Sequence, residues 1–325
     1  MGSDRAHLMA HYEASARMAL PAWGLPADSA LQLVCLSENA TYRVQDPATG
    51  RYSALRIHRT GYHPPGAVES ELAWLQALRA DAGIPTAPVV PTLEGTLVAR
   101  AGGHQAVLFE WLVGKAPSPG QLPQLMGVLG ELAARMHLHS RHWRRPRGFV
   151  RFRWDVPACL GPRARWGPWQ AGLGGGRAEH GVLGRAAAVA AARLAELGTG
   201  PDRFGLVHAD MRLANLLLDG DRLAVIDFDD CGFSWYLYDL ACTLSFLEDR
   251  PDVAELCHSW LGGYRRAAPV TREAEAAIPT FIMVRRLTLL GWAASHPSAD
   301  EAGAIGPRFA SATCELAEAY LSLSS

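Results

Sequence analysis

"LVHADMRLANLLLDGDRLAVIDFDD", residues 206–230, sets three oxygen-bearing side chains around two short apolar runs. The runs "LLL" and "LAVI" flank "DGDR", and Asp-Gly is a preferred pair for a tight hairpin turn. Residues 216–226 are therefore predicted to form a β-hairpin. Folding about its turn brings Asn215, just before the first strand, nearly opposite Asp227, just after the second.

The open end of this hairpin is suited to a metal ion. Mg²⁺ takes one or two protein oxygens and completes its shell with water and nucleotide phosphates, so Asn215 and Asp227 are the predicted metal ligands. Asp210 lies in the preceding loop, where it can accept a proton from a hydroxyl. Phosphoryl transfer depends on positioning and charge neutralisation, and a carboxylate there orients the nucleophile. The stretch therefore predicts a rigid hairpin that positions a metal ion beside a proton acceptor.

The same stretch resembles the kinase-like phosphotransferases, most closely the aminoglycoside, choline and homoserine phosphotransferase family. "HADMRLAN" matches the H-x-D-x-x-x-x-N catalytic loop, and "VIDFDD" stands where that family carries I-D-[FWL]. "SWYLYDLA", with Asp239, resembles the helix start that follows the metal site. The resemblance implies ATP, Mg²⁺, Asp210 as catalytic base and a structural role for Asp239. His208 is expected to hold the loop backbone, with a catalytic role as the alternative.

The order of elements agrees with a bilobal, protein-kinase-like α+β fold. Residues 1–109 contain short β-prone runs with an initial and an intervening helix, and are predicted to form a nucleotide-binding lobe with a small antiparallel sheet. Residues 110–115 are the expected hinge. Residues 116–325 are mainly helical, including a helix at 181–198 and helices from about 236 to the end, and are assigned to catalysis and substrate binding. Residues 141–180 remain unassigned.

Arg56 stands at a position where the family carries a lysine that binds the α/β-phosphates and pairs with a helix glutamate. Lys115 is the only lysine in this chain, and "ALRIH" places Arg56 there instead. An arginine can hold phosphate and carboxylate bidentately. Its expected partner is Glu71, because Glu69 points to a different helix face. The alternative is that Arg56 is an ordinary surface residue of the strand.

Two further nucleotide contacts follow from the resemblance. The loop "SENATY", residues 37–42, is expected over the phosphates, and "LFEWLV" is expected at the hinge, where backbone groups hold adenine. By contrast, "GLGGG" at 172–176 follows no strand and is predicted to be an ordinary loop. The nucleotide-binding residues assigned in this way, besides Arg56 and Glu71, are Ser37, Asn39, Thr41, Glu110 and Leu112.

Two features after the metal aspartate bear on the acceptor. Asp229 and Asp230 add negative charge, and "CGFSWYLYD" supplies Trp235 and Tyr236. Carboxylates with aromatic rings suit a cationic amine, so these four residues are the candidate substrate surface. The alternative is a solvated acidic loop beside core aromatics.

Arg212 occupies the place of a lysine that contacts the γ-phosphate in Ser/Thr protein kinases, and it is a second catalytic candidate. No activation segment follows the metal site, which favours a small acceptor. The predicted function is ATP-dependent phosphorylation of a hydroxyl on a small, amine-containing metabolite or antibiotic. The alternatives are a Ser/Thr protein kinase of the bacterial stress-response type and a pseudokinase-like nucleotide-binding module, the latter motivated by Arg56.

Composition excludes several other classes. The net charge is −1 and the pI about 6.9, so the Arg-rich segment 141–154 does not predict a nucleic-acid partner. The N-terminus lacks a signal-peptide core and no stretch is apolar enough for a membrane helix, which predicts a cytoplasmic protein without a membrane partner. The six cysteines show no C-x-x-C pair, which predicts reduced, mostly buried thiols.

Overall fold

The computed structural model describes residues 2–37, 39–173, 177–296 and 300–323. The side chains of 2–5, 177 and 300–307 are not described. Glu38 of the predicted phosphate loop, residues 174–176 of the Gly-rich stretch, and 297–299 and 324–325 of the predicted C-terminal helices lie outside the described residues.

The N-terminal lobe is one antiparallel sheet with a helix on each face. The described strands pair in the order β1–β2–β3–β6–β4, and β5 pairs with β6. Its elements are α1 (Gly2–Ala19), β1 (Leu31–Leu36), β2 (Ala40–Gln45), β3 (Tyr52–Ile57), α2 (Ala67–Ala82), β4 (Val89–Val90), β5 (Ala99–Ala101) and β6 (His104–Glu110).

Side-chain alternation along β3 gives the sheet its two faces. Leu55 and Ile57 pack into an apolar cluster with α1, whereas Arg56 between them points to the opposite face. That opposite face carries α2, and Glu71 on α2 meets the Arg56 guanidinium. The strand period therefore directs one charged side chain toward the space between the lobes.

The C-terminal lobe is mainly helical, as predicted. Its elements are α3 (Leu122–His142), β7 (Phe152–Arg153), α4 (Val156–Leu160), α5 (Arg177–Leu197), β8 (Phe204–Val207), β9 (Leu216–Asp219), β10 (Arg222–Val225), β11 (Gly232–Trp235), α6 (Tyr238–Thr243), α7 (Val253–Ala267), α8 (Arg272–Ala276), α9 (Ile278–Ser295) and α10 (Asp300–Ser322).

Two glycines allow α3 and α7 to cross in close contact. A Cβ added at Gly130 would lie 1.9 Å from the Trp260 carbonyl oxygen, and one added at Gly263 would lie equally close to that of Gly127. This close crossing lets the buried His137 of α3 reach both Tyr264 of α7, 3.0 Å away, and the catalytic segment. The α3–α7 pair thus supports the segment that contains residues 208–215 through His137.

The β-hairpin predicted for residues 216–226 is confirmed. Strands β9 and β10 pair with Asp219 opposite Arg222, and the Ile226 amide donates to the Asn215 carbonyl at 2.9 Å. That last bond closes the open end of the hairpin beside Asn215 and Asp227. The hinge exit is tied to the same hairpin, because Lys115 and Leu218 exchange two backbone hydrogen bonds.

The pairing of β7, β8 and β11 in a small separate sheet was not predicted. β11 runs parallel to β7 and antiparallel to β8, although 152, 204 and 232 are distant in the chain. Strands of two to four residues carry little periodic signal, and only their long-range pairing defines them. This sheet carries the chain from the metal site into the helical core.

Candidate active site

A cleft of about 410 Å³ lies between the sheet of the N-terminal lobe and the helices of the C-terminal lobe. One end is bounded by the strands β1 to β3, the segment after β6 and the catalytic hairpin. The other end is bounded by segments from the helical lobe. The lining residues important here are Ser37, Asn39, Thr41, Arg56, Glu71, Glu110, Leu112, Trp166, Asp210, Arg212, Asn215, Asp227, Asp229, Asp230, Phe246, Arg285 and Trp292.

The catalytic loop is held from below by Asp239. Its Oδ1 accepts the Ala209 amide at 2.7 Å, and its Oδ2 accepts the His208 amide at 3.1 Å and His137 Nε2 at 2.9 Å. Ala209 has a φ of 67°, a left-handed conformation that is strained for a residue with a Cβ. The buried Asp239 holds this conformation, which agrees with its predicted structural position.

His208 uses both ring nitrogens within the loop. Nε2 donates to the Ile226 carbonyl at 3.1 Å, and Nδ1 accepts the Asp210 amide at 3.2 Å. Burial lowers the pKa of His208 and favours the neutral ring that this bonding requires. No ring nitrogen is left to exchange a proton with an acceptor, so the geometry favours the scaffold interpretation.

Asp210 faces the cleft as an ionised carboxylate. Its Oδ2 accepts hydrogen bonds from Asn215 Nδ2 at 2.7 Å and Arg212 Nε at 3.1 Å, and its Oδ1 accepts one from Arg285 Nη2. Burial alone would raise its pKa, but Arg212 and then Arg285 outweigh burial and hold the pKa of Asp210 below its usual value. The carboxylate is therefore available to orient a hydroxyl.

Arg212 and Arg285 show what sequence reasoning missed here. Arg212, expected against the γ-phosphate, makes an ion pair with Asp210. Arg285 lies 75 residues beyond Asp210 on α9, and no local motif marks it. Its only sequence signal is an arginine pair within the apolar "FIMVRRLTLL", where buried charges require partners.

Asn215 and Asp227 meet at the open end of the hairpin. Both hydrogens of Asn215 Nδ2 go to Asp210, at 2.8 Å to the carbonyl oxygen and 2.7 Å to Oδ2. This leaves Asn215 Oδ1 as the atom that can hold a cation. Asp227 has a φ of 61°, and 45% of its side chain is accessible to solvent.

The charge around Asp227 fits a divalent cation. Desolvation between the lobes raises the pKa of Asp227 to about 7; Arg56 opposes the rise, while Asp229 and Asp210 add to it. A carboxylate driven toward its neutral form by desolvation and by neighbouring carboxylates marks a place where a cation would be stabilised. The two oxygens of Asn215 and Asp227 match the few protein ligands that Mg²⁺ takes.

Arg56 connects α2 to the predicted metal ligands. Its Nη2 pairs with the fully buried Glu71, and its Nη1 lies 3.2 Å from Asp227 Oδ1. Thr41 sits opposite Arg56 in the β2–β3 ladder, and Asn39 Oδ1 accepts the Arg59 amide at 3.1 Å. Glu71, rather than Glu69, is thus the partner that the structure brings to Arg56.

The segment after β6 presents backbone groups to the cleft. The Glu110 amide donates to Pro88, and the Trp111 amide donates to Tyr52 at 3.3 Å. Within the described part of the chain, neither the N–H nor the C=O of Leu112 has a hydrogen-bond partner. A base entering this end of the cleft would find a donor and an acceptor on one residue.

A strap that follows β3, residues 58–63, holds the two acidic residues beyond Asp227. Asp229 Oδ1 lies 3.2 Å from His58 Nδ1 and 2.9 Å from His63 Nε2, and Asp230 Oδ1 accepts the Tyr62 hydroxyl. Burial would raise the pKa of Asp229, but His63 and His58 hold it well below its usual value. Both carboxylates line the cleft and are fixed by the N-terminal lobe.

The structure corrects the placement of Trp235 and Tyr236. Both are 4% exposed and lie in the C-terminal lobe, where Trp235 Nε1 donates to the Gly198 carbonyl at 2.7 Å and Tyr236 packs on His137. Strand β11 carries them away from the cleft as it leaves Asp230. The aromatic wall is formed instead by residues that the sequence did not single out: Trp166, Phe246 and Trp292.

Comparison with known proteins defines the class of this molecule. The model of the phosphotransferase enzyme family (APH) matches residues 36–270, and the chain belongs to this family. An uncharacterized protein of Deinococcus radiodurans is 30% identical over 272 residues, covering 81% of this chain and 76% of that protein. The chain is a small-molecule kinase with a bilobal kinase-like fold.

Two solved structures are informative neighbours. The microcompartment-associated aminopropanol kinase is 42% identical with a TM-score of 0.86, over 94% of this chain and 97% of that one. The amicoumacin kinase hAmiN, in complex with AMP-PNP, Ca²⁺ and Ami, is 20% identical with a TM-score of 0.76, over 95% of this chain and 96% of that one.

Among the described helices, none is long and apolar enough to cross a membrane.

Proposed function

We propose that this protein transfers the γ-phosphate of ATP to the hydroxyl of a small amino alcohol, in a reaction that requires Mg²⁺. The observation that carries the proposal is the arrangement at the hairpin end. A buried, ionised Asp210 faces the cleft, and Asn215 and Asp227 present oxygens beside it. This pairs a proton acceptor with a cation site.

The N-terminal side of the cleft would bind the nucleotide. Arg56, fixed by Glu71, orders the phosphates, and the unpaired Leu112 backbone with the neighbouring Glu110 holds the adenine. The loop residues Ser37, Asn39 and Thr41 cover the phosphates. The structural likeness to a kinase that was solved with AMP-PNP and Ca²⁺ supports this use of the cleft.

Asn215 and Asp227 are the residues proposed to hold Mg²⁺. The ion, when bound, neutralises charge on the β- and γ-phosphates as it develops during transfer. Arg56 contributes a fixed positive charge from the other side of Asp227. The chain itself supplies the geometry, since both metal ligands are anchored by the hairpin.

Asp210 would receive the proton of the acceptor hydroxyl. The acceptor oxygen forms a bond to the γ-phosphorus, and the bond from that phosphorus to the β,γ-bridging oxygen breaks. The electron pair of that bond remains on ADP, and the hydroxyl proton passes to Asp210. Positioning accounts for most of the expected rate, because the phosphoryl group needs little covalent help from the protein.

An amino alcohol fits the acceptor end of the cleft. Asp230 supplies negative charge there, and Trp166, Phe246 and Trp292 supply the aromatic wall against which an ammonium group can rest. The 42% identity to an aminopropanol kinase supports the same class of acceptor. Arg212, the residue that favoured a protein acceptor, is engaged by Asp210, and β11 begins at Gly232 without an activation segment.

The experiment is a transfer assay with labelled ATP and Mg²⁺ on paired acceptors. In 1,2-propanediol a second hydroxyl replaces the amine of 1-amino-2-propanol. Ethanolamine, choline, homoserine, an aminoglycoside and a generic protein complete the panel. We expect labelling of 1-amino-2-propanol or a near relative and little of the diol. Equal labelling of 1-amino-2-propanol and the diol would show that the enzyme does not recognise the amine. Labelling of protein alone would show that the acceptor is not a small molecule.

An Asp210→Asn variant serves as the catalytic control. Loss of a positioned base costs on the order of 10²–10⁴-fold, so labelling of every acceptor should fall by that factor. Unchanged labelling in this variant would contradict the role given to Asp210.

A further inference from the structure

Asp210 is held by an arginine that comes from outside the catalytic segment. Arg285 of α9 is only 1% exposed, and each of its three guanidinium nitrogens has a partner near the loop. Nε donates to the Ser245 hydroxyl at 2.9 Å, Nη1 to the Ala209 carbonyl at 3.3 Å, and Nη2 to Asp210 Oδ1. A guanidinium fixed at three points has very little freedom, so the carboxylate it meets is fixed as well.

The two oxygens of Asp210 are not equivalent. Oδ2 accepts from Asn215 and from Arg212, which occupies both of its lone pairs. Among the described residues, Oδ1 accepts from Arg285 alone. One acceptor position therefore remains on Oδ1, on a carboxylate that lines the cleft together with Arg285.

We propose that Arg285 is a positioning residue of the transfer reaction, which fixes Asp210 so that Oδ1 receives the hydroxyl proton of the acceptor. This inference rests on the proposed function, since it assigns an atom to the role given to Asp210. The Arg285 guanidinium also lies 5.2 Å from the Trp166 ring. One side chain thus contacts both the base and the wall proposed for the acceptor.

The fork of an arginine is essential to this arrangement. The guanidinium presents five N–H groups in a fixed plane, whereas a lysine offers one compact ammonium on a flexible stem. A lysine at 285 would retain the charge near Asp210 but could not span Ser245, Ala209 and Asp210 together. Arg285→Lys therefore separates the geometric contribution from the charge.

The neighbouring Arg286 is a matched control. It is also buried on α9, at 2% exposed, but its guanidinium pairs with Glu248 at 2.6 Å and Thr313 at 2.9 Å, and it stacks over Phe309. Among the described residues, these three side-chain partners of Arg286 do not line the cleft. Removing Arg286 takes the arginine partner from the buried Glu248, and removing Arg285 leaves Asp210 with Arg212 as its remaining arginine partner, so both variants are expected to lose stability.

The experiment compares Arg285→Ala, Arg285→Lys and Arg286→Ala in the full chain, with kcat and KM measured separately for ATP and the acceptor. We expect kcat to fall about 100-fold in Arg285→Ala, because a misplaced reacting group costs about that factor. Arg285→Lys should stay at least about tenfold low, with the KM for ATP within twofold of wild type. Arg286→Ala should lose thermal stability but keep kcat within about twofold.

Two further measurements distinguish positioning of Asp210 by Arg285 from a purely structural contribution of Arg285 to the fold. Free guanidinium should restore part of the activity of Arg285→Ala and none of that of Asp210→Asn. In the Asp210→Asn background, adding Arg285→Ala should lower the residual rate less than twofold, because the two residues act as a unit. If Arg285→Ala does not fold, the kcat comparison and the double-variant comparison are made with Arg285→Lys instead.

The outcomes distinguish this inference from the function on which it rests. A full-rate Asp210→Asn would overturn the proposed function itself. A slow Asp210→Asn beside Arg285 variants whose kcat matches Arg286→Ala would overturn the role of Arg285 alone. A full additive loss in the double variant would assign Arg285 an effect independent of Asp210 and would also overturn the inference.

Discussion

The two ends of the cleft are built in different ways. At the catalytic end, Asp210, Asn215 and Asp227 come from one short stretch and are brought together by one hairpin. At the acceptor end, Trp166 and Trp292 are separated by more than a third of the chain and meet only through packing. The chemistry of the family is thus encoded locally, whereas the surface proposed to select the acceptor is assembled from distant segments.

Backbone strain marks both ends. Ala209 and Asp227 at the catalytic end and Phe246 at the acceptor end all have φ values between 61° and 68°. A positive φ costs energy for residues with a Cβ and persists where the surroundings enforce it. At the catalytic end the enforcing group is visible, because Asp239 bonds the backbone of Ala209.

The largest effect is expected from Asp227→Asn. This change keeps the shape of a metal ligand but removes its charge, which is expected to lower kcat by about 10³-fold because metal-assisted charge stabilisation contributes several kcal/mol. Transfer rates measured across Mg²⁺ concentrations would check it. A full rate that merely requires more Mg²⁺ would show that Asp227 sets metal affinity rather than the chemical step.

The next effect tests the Arg56–Glu71 pair. Arg56→Met should lower kcat by about 100-fold, in the range found when one transition-state donor is lost. It should also lower the free energy of unfolding by about 3–5 kcal/mol, because the buried Glu71 loses its close guanidinium partner and keeps only the looser pair with Arg151 at 4.0 Å. Chemical denaturation and kinetics measure the two losses.

The double variant Arg56→Met/Glu71→Leu separates those two losses. Replacing both charges by apolar groups should restore most of the stability and none of the rate. Recovery of the rate together with stability would show that Arg56 supports the fold without ordering phosphates.

A smaller and more selective effect is expected at the acceptor end. Asp230→Asn should raise the KM for an amino alcohol by about tenfold or more, because a hydrogen bond to a charged group contributes about 1.5–3 kcal/mol. The KM for ATP should not change. An equal loss with the amine-free diol would show that Asp230 supports the strap through Tyr62 rather than the ammonium group.

The smallest effects are expected from substitutions of two tryptophans, one on each side of the comparison. Trp292→Phe on the acceptor wall should raise the KM for the amino alcohol about two- to fivefold, from a weaker cation–π surface. Trp235→Phe should leave kcat and KM within about twofold and lower stability by about 1 kcal/mol, because its bond to the Gly198 carbonyl is lost. A reversal of the two results would return Trp235 to the substrate surface.

Several predictions made from the sequence agree with the structure because they rest on local rules. The Asp-Gly turn at 219–222 fixed the hairpin, and strand alternation placed Arg56 on the face toward Glu71. The class of enzyme followed from the motifs on that hairpin. In each case neighbouring residues, or a single strand-to-helix contact, carry the information.

The sequence by itself therefore determined the fold class, the catalytic hairpin and the kind of chemistry. Only the tertiary structure placed Arg285 against Asp210, moved Trp235 and Tyr236 into the helical lobe, and put Trp166 and Trp292 in the cleft. The physical reason is the range of the determining contacts. Hydrogen bonds within a hairpin follow from a few adjacent residues, whereas a packed wall depends on how whole helices dock.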